Sequence, residues 1–176
     1  GLIAYFQVSP LIFIDHFNLS PTQYGLSSVG IAFSYLAGGQ IVRKYVHKIG
    51  VTPMLHIGIA ILFVGGIAML IACYVFESSW QAILFSAIIY VLGTRIVIPN
   101  SMSLAISSFK KSSGTTSAVI GSIQMLGAMV ISGLLAHFST QSALPLAWFL
   151  VAIGLTSLVL VGLRIRQASG LALAAS

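Results

Sequence analysis

The chain has 176 residues, of which 6% are charged and 58% hydrophobic, and its mean hydropathy is +1.07. Soluble globular domains carry about 25% charged residues. Two acidic and eight basic residues cannot cover a water-facing surface of this size, which excludes a soluble domain, a disordered chain and a disulfide scaffold. The net charge of +6 does not indicate a nucleic-acid partner, because the basic residues form small clusters between apolar runs instead of one basic face.

Three long stretches contain no Lys, Arg, Asp or Glu: 27 residues at 16–42, 28 at 49–76 and 52 at 112–163. A helix needs about 20 apolar residues to cross a bilayer core. The longest stretch therefore holds two spans and a polar turn at 139–142. Only helices and closed barrels satisfy the backbone in lipid, and barrel strands alternate over about 10 residues. These continuous runs predict helices.

The sequence predicts an all-α membrane protein, a six-helix bundle whose first helix is truncated. The spans cover about 1–14, 21–42, 53–76, 80–108, 115–138 and 143–163, inside a transmembrane bundle at 1–166 that a cytoplasmic tail at 167–176 follows. Ser20, Pro21 and Gln23 predict the start of the second helix, as an N-cap, a first-turn proline and a capping-box glutamine. Because the first span is short and begins with Gly1, we expect a further N-terminal part.

The basic residues predict the orientation of the bundle. Three loops or tails on one side carry them, and they are Arg43, Lys44, Lys48, Lys110, Lys111, Arg164 and Arg166. The opposite side carries the acidic residues Asp15 and Glu77 and no Lys or Arg. Positively charged loops stay in the cytoplasm, so we expect a cytoplasmic C-terminus.

The six spans divide into two triplets of opposite direction, which is the geometry of a 3+3 inverted repeat. The first helix of each triplet carries a proline, Pro10 in span one and Pro99 in span four. Interrupted helices at matching positions indicate a substrate pathway. Proline also bends membrane helices without any such role. We predict helix kinks at both residues, and the sequence leaves both explanations open.

Arg95 lies near the middle of span four, where a charge costs about 2.5–3.5 kcal/mol, so its side chain should face protein or a water-filled cavity. No acid of this chain lies at that depth, and a structural partner elsewhere is the alternative. Asn100 is about 140° round the same helix, so it should not share a cavity with Arg95. Gln7 in span one and Gln124 in span five complete the candidate substrate-binding residues.

Small residues form stripes on spans two and five, and tight helix packing is their favoured interpretation. The stripes are Gly25, Ser28, Ala32, Tyr35 and Gly39 on span two, and Ser117, Gly121, Gln124, Ala128 and Ser132 on span five. Spans three and six carry few polar residues, so we expect them at the lipid-facing periphery.

The sequence contains no carboxylate pair, no metal-ligand spacing, no catalytic triad and no phosphate-binding loop. We therefore predict that the protein is not an enzyme and needs no metal or cofactor.

Four short stretches, in this order and spacing, carry a resemblance to a known family. They are Ser9-Pro10 with the block at 17–25, Pro99-Asn100 ahead of Ser103-Leu104-Ala105, Gly114 to Gly121 with Gln124, and Ala143 to Ala147. Over residues 1–166 the chain resembles the C-terminal half of a major facilitator superfamily carrier. The closer resemblance is to the bicyclomycin/chloramphenicol-resistance (Bcr/CflA) drug:proton antiporters of bacteria.

The resemblance implies a secondary transporter of the bacterial inner membrane that exports drugs or other amphipathic small molecules. Two six-helix bundles would rock about a site at the bilayer midplane, driven by protons. Because this chain has no acid at membrane depth, the proton-coupling residue is expected in the missing N-terminal half. Arg43, Lys44 and Lys48 occupy the place of the family's basic gating loop without its acid, which favours attraction to anionic lipid headgroups.

Two other functions remain open. One is a sugar or metabolite porter of the same fold, which the scarcity of Asn, Gln and Trp disfavours. The other is a membrane sensor or assembly protein that does not transport.

Overall fold

The computed structural model describes residues 1–75, 79–108, 113–138 and 143–174, without the side chains of 16, 108, 113, 136–138 and 163–174. The described part is helical. Its α-helices are α1 (Leu2–Pro10), α2 (Pro21–Ile49), α3 (Val51–Val75), α4 (Trp80–Ser108), α5 (Ser113–Phe138) and α6 (Leu144–Ala174). A π-helical segment, Leu11–His16, continues α1. Helices α2 to α6 are each long and apolar enough to cross a membrane, which confirms the predicted all-α membrane fold.

Some sequence predictions fall outside the described residues. These are Glu77, Lys110, Lys111 and the turn at 139–142, together with the side chains of Arg164 and Arg166. Helix α6 itself continues to Ala174, well beyond residue 163.

The start of α2 is held by the predicted capping box. Ser20 has an extended backbone, and its Oγ accepts a hydrogen bond of 3.2 Å from the backbone N–H of Gln23. The N–H of Ser20 donates in return to Gln23 Oε1 at 3.1 Å. Pro21 occupies the first helical position, where its missing N–H costs nothing. The chemistry predicted for this helix end is therefore confirmed.

The predicted basic loop after the second span is wrong in its secondary structure. Arg43, Lys44 and Lys48 lie exposed on the last turns of α2, which continues to Ile49. Gly50 alone joins α2 to α3, with φ 94°. Basic residues favour the C-terminal end of a helix, where they face the negative end of its dipole. The end of the apolar run therefore does not mark the end of the helix.

Helix α3 is a packing centre of the bundle, not a peripheral helix as predicted. It contacts α4 and α6 along its length, and 44% of its most apolar stretch is buried. Glycines on both partners allow the approach: a Cβ at Gly65 would lie 2.6 Å from the backbone N of Tyr90, and one at Gly93 would lie 2.5 Å from that of Leu62. Small residues permit this backbone-to-backbone contact.

The small-residue stripes do not carry the tightest packing. Apart from its chain neighbours and its own helix backbone, no atom of the described residues lies within 4 Å of a Cβ at Gly25 or at Gly121, and only 11% of the most apolar stretch of α5 is buried. The residue types predicted close packing, but another helix lies opposite only part of each stripe. The clearest contact is on α2, where Gly38 and Gly39 face Arg95 of α4.

Candidate functional site

A cavity of about 440 Å³ lies between α1, α3, α4, α5 and α6. Most of its wall is aliphatic, and the few polar side chains are Tyr90 and Thr94 on α4, Gln124 on α5 and Ser157 on α6. The Thr94 hydroxyl donates to the Tyr90 carbonyl at 2.9 Å, and the Ser157 hydroxyl donates to the Ile153 carbonyl at 2.8 Å. Their helices thus satisfy these two donors, and the wall behaves as a largely apolar surface.

Gln124 is the exposed amide of this wall. It also lines a second cavity of about 390 Å³ between α4 and α5, and Ile98 and Ile123 are shared by the two. An amide offers two donors and a carbonyl acceptor. The two cavities therefore form an apolar trough along α4 and α5 with one hydrogen-bonding group where they meet.

The helix changes type at Pro10. Proline has no N–H, so the Phe6 carbonyl loses its usual α-helical donor, and the Ser9 hydroxyl makes a long contact of 3.4 Å with that oxygen. Beyond Pro10 the helix is π-helical, and the Phe17 N–H donates to the Ile12 carbonyl at 3.1 Å. The Ser9 hydroxyl is also 2.8 Å from that of Tyr24, a hydrogen bond that ties α1 to α2.

Pro99, the second of these prolines, does not change the type of its helix. Helix α4 continues as an α-helix through Pro99 to Ser108, so the two prolines do not interrupt their helices in the same way. Pro99 leaves the Arg95 carbonyl without its usual amide donor. The next residue, Asn100, is 2% exposed, and its Nδ2 donates to the Ile96 carbonyl at 2.7 Å.

The structure brings only one of the four candidate binding residues to the cavity wall. Gln124 lines it, whereas Asn100 is buried against its own helix. Gln7 is exposed on α1, but it is not among the lining residues. Arg95 faces α2 instead, separate from Asn100 as the helical geometry predicted. The position of Asn100 disagrees with its predicted contact with substrate.

Sequence reasoning did not find Thr94 or Ser157 in the cavity wall. Ser157 belongs to a helix with few polar residues, and Thr94 immediately precedes the more conspicuous Arg95. Thr94, Ile98 and Ser101 are spaced by four and three residues, which places them on one face of α4. This spacing is the feature of the sequence that could have identified Thr94 as a residue of the cavity wall.

Comparison with known proteins agrees with the resemblance noted in the sequence. A family profile described as Major Facilitator Superfamily matches residues 2–172. The "Bicyclomycin resistance protein homolog" of Haemophilus influenzae is 21% identical over 83% of this chain and 36% of its own length. The "Chloramphenicol resistance protein CraA" of Acinetobacter baumannii is 22% identical over 80% of the chain and 34% of its own length.

A third relative, the "Multidrug transporter MdfA" of Escherichia coli O157:H7, is 26% identical over 71% of the chain and 30% of its own length. The chain thus spans about a third of the length of these curated relatives. The matches confirm the resemblance to carriers of the drug-resistance type.

Proposed function

This chain belongs to the Major Facilitator Superfamily, a family of membrane transporters, and from that membership we propose that it is half of a carrier that exports amphipathic small molecules. The apolar trough with a single amide, Gln124, carries the proposal. Ligand pockets are largely apolar with a few placed polar groups. Such a wall suits an amphipathic cargo better than a sugar, whose hydroxyls need many partners. The drug-resistance names of the relatives point in the same direction.

The proposed mechanism is alternating access. The trough would form one wall of a site at the bilayer midplane, and a second six-helix bundle would supply the other. The cargo would contact the aliphatic residues of α4 and α5 and donate to or accept from the Gln124 amide. In this proposal Gln7, Asn100 and Arg95 do not line the trough.

We propose that protons drive the export. Asp15 is the one acidic residue with a described side chain, and it lies exposed at the end of the π-helical segment. A coupling group must change protonation inside the membrane as access changes. That group would therefore belong to the other bundle, and the carrier would act as a proton antiporter in the bacterial inner membrane.

The proposal is tested with the full-length gene product in a bacterial strain that lacks its own efflux pumps. We expect cells that express it to accumulate several-fold less rhodamine 123, a fluorescent amphipathic cation, and a protonophore to abolish the difference. Gln124→Leu should weaken export about 2- to 10-fold, because one hydrogen bond is lost. The matched control Gln40→Leu changes an exposed glutamine of α2 that does not line the trough and should export normally.

Unchanged accumulation of the dye in expressing cells would contradict drug export. Proton-linked uptake of a sugar or metabolite by the same cells would then favour the porter of the same fold. Absence of any transported solute would favour a sensor or assembly protein.

A further inference from the structure

The charge of Arg95 lies at mid-depth in the bundle. Helix α4 runs from Trp80 to Ser108, and Arg95 is near its midpoint. A guanidinium keeps its positive charge in proteins and offers five N–H donors. At this depth such a group requires a partner or a water-filled space.

The described side chains place Arg95 in a slot between α4 and α2. Its guanidinium carbon lies 4.6 Å from the ring centroid of Tyr35, which makes a cation–π contact. Two glycines of α2 leave room for the arginine side chain. A Cβ at Gly38 would lie 3.0 Å from the Arg95 Cβ, and a Cβ at Gly39 would lie 3.5 Å from the Arg95 Nε. Tyr35 thus supports one face of the guanidinium, and the two glycines accommodate its stem and head.

No carboxylate among the described residues meets this charge. The Nε of Arg95 is buried without a hydrogen-bond partner in that part of the chain. Asp15 lies toward the Trp80 end of α4, because Phe17, two residues further along the chain, lines a groove together with Trp80. The fifteen residues from Trp80 to Arg95 span about 22 Å at ~1.5 Å each, far beyond ion-pair distance.

A carboxylate is the group that this slot fits. The guanidinium is planar and binds carboxylates through two parallel N–H···O hydrogen bonds, and its contact with the Tyr35 ring helps to hold it in position. The Tyr35 side chain is 38% exposed and Arg95 is only partly buried, so the edge of the slot is open.

We propose that Arg95 and Tyr35, with Gly38 and Gly39, form a carboxylate-binding site at the middle of the membrane. The site rests on the proposed transport function and extends it. The carboxylate is either part of the cargo, which would extend the cargo class to acidic and zwitterionic amphipathic molecules, or an acidic side chain of another part of the protein.

The first arm of the test uses two dyes that differ only in a carboxylate. Rhodamine 110 has a free carboxylate, and rhodamine 123 is its methyl ester. Binding to the purified full-length protein in lipid nanodiscs is measured by fluorescence polarisation. If the cargo supplies the carboxylate, wild-type protein binds rhodamine 110 about tenfold more tightly than the ester, as a charged hydrogen-bonded pair requires. Arg95→Ala then abolishes the preference without weakening the binding of the ester.

Further variants separate the site from general damage. Tyr35→Leu removes the ring and should reduce rhodamine 110 binding about 2- to 5-fold, because the cation–π contact is lost. Arg43→Ala, an exposed arginine on the same α2, is the matched control and should bind both dyes as wild type does. Each variant is accepted only if it elutes as one species from size-exclusion chromatography.

The second arm finds an acidic partner within the protein and does not depend on transport. Arg95→Lys introduces an amine, and dicyclohexylcarbodiimide joins an amine to an adjacent carboxylate as an amide, with loss of one water. If the protein supplies the carboxylate, mass spectrometry detects a peptide containing position 95 joined to a peptide with an Asp or Glu from the facing segment. The two dyes then bind wild-type protein equally.

Either a carboxylate preference that depends on Arg95 or a cross-link at position 95 supports the site. Equal dye binding together with the absence of any cross-link overturns it. Failure of wild-type cells to export rhodamine 123 contradicts the proposed function alone. The cross-linking experiment does not depend on export, so it still tests whether the carboxylate-binding site exists.

Discussion

At the scale of single residues, Ser20 and Gln23 define where α2 begins. The two reciprocal hydrogen bonds lie on the exposed surface, so no packing contact shares their role. Such a cap satisfies two backbone donors that the first turn of any helix otherwise leaves unpaired. The helix start is therefore encoded by a short local pattern.

We expect Ser20→Ala to destabilise the protein by about 1 kcal/mol, because the Gln23 N–H loses its acceptor. Ser20→Asn should cost less, since asparagine is also a good N-cap. Thermal unfolding of the detergent-solubilised protein, followed by the loss of monodisperse material, measures both. Equal unfolding temperatures for Ser20→Ala and wild type would show that this cap does not contribute to stability.

Polar residues inside α4 were harder to predict than the cap. Asn100 donates to its own helix, Arg95 faces a neighbouring helix, and Thr94 lines the cavity. Sequence spacing separates their directions round the helix, but it does not say which direction meets a cavity. That depends on the positions of the other helices, which no local pattern encodes.

At the scale of helices, glycine determines how closely α3 approaches its neighbours. Gly65 and Gly93 face the backbone of the opposite helix, while Gly66 of α3 and Gly154 of α6 make the corresponding contact between those two helices. The sequence predicted the number and type of the helices correctly. It predicted close packing along two stripes that are only partly covered, because the sequence alone does not show whether the face of a small residue is covered or open.

Gly65→Leu should prevent normal packing of α3 on α4, at a cost of about 3 kcal/mol or more, because the added atoms would overlap the backbone of Tyr90. The matched control is Gly121→Leu, where no atom of another helix in the described part of the chain lies within 4 Å of the new Cβ and helix propensity improves. Yield of monodisperse protein and unfolding temperature compare the two. If Gly65→Leu is as stable as the control, the close contact is not important for folding.

At the scale of the whole molecule, α2 and α5 are the least buried of the candidate spans, with 17% and 11% of their most apolar stretches covered. Large apolar side chains such as Phe33 on α2 and Met129 on α5 are 70% exposed or more. These faces therefore meet lipid or another protein segment. In the major facilitator carriers that the chain resembles, the second and fifth helices of a half are expected to face the other bundle, and the exposed faces of α2 and α5 are compatible with that expectation.

The orientation predicted from the basic residues has a direct test with a membrane-impermeant maleimide. In a Cys73→Ser background, Asp15→Cys should react in intact cells and Lys44→Cys only after permeabilisation, because Lys44 is expected in the cytoplasm. Both positions are exposed, and Cys73→Ser removes the one native cysteine of this sequence, so each introduced thiol is labelled without background from it. Labelling of Lys44→Cys in intact cells would reverse the proposed orientation.

The single-residue connection at Gly50 has a mechanical consequence. Gly50 closes α2, since its N–H donates to the Val46 carbonyl at 2.9 Å, and it opens α3, since its carbonyl accepts from Met54 at 3.3 Å. The two helices that it joins both pack against α4, so α2, α3 and α4 form one packed group. A connection of one residue leaves the two joined helix ends little freedom to separate. We therefore expect α2, α3 and α4 to move as one unit together with α6, which packs along α3, while the smaller contacts of α5 with α4 and α6 rearrange.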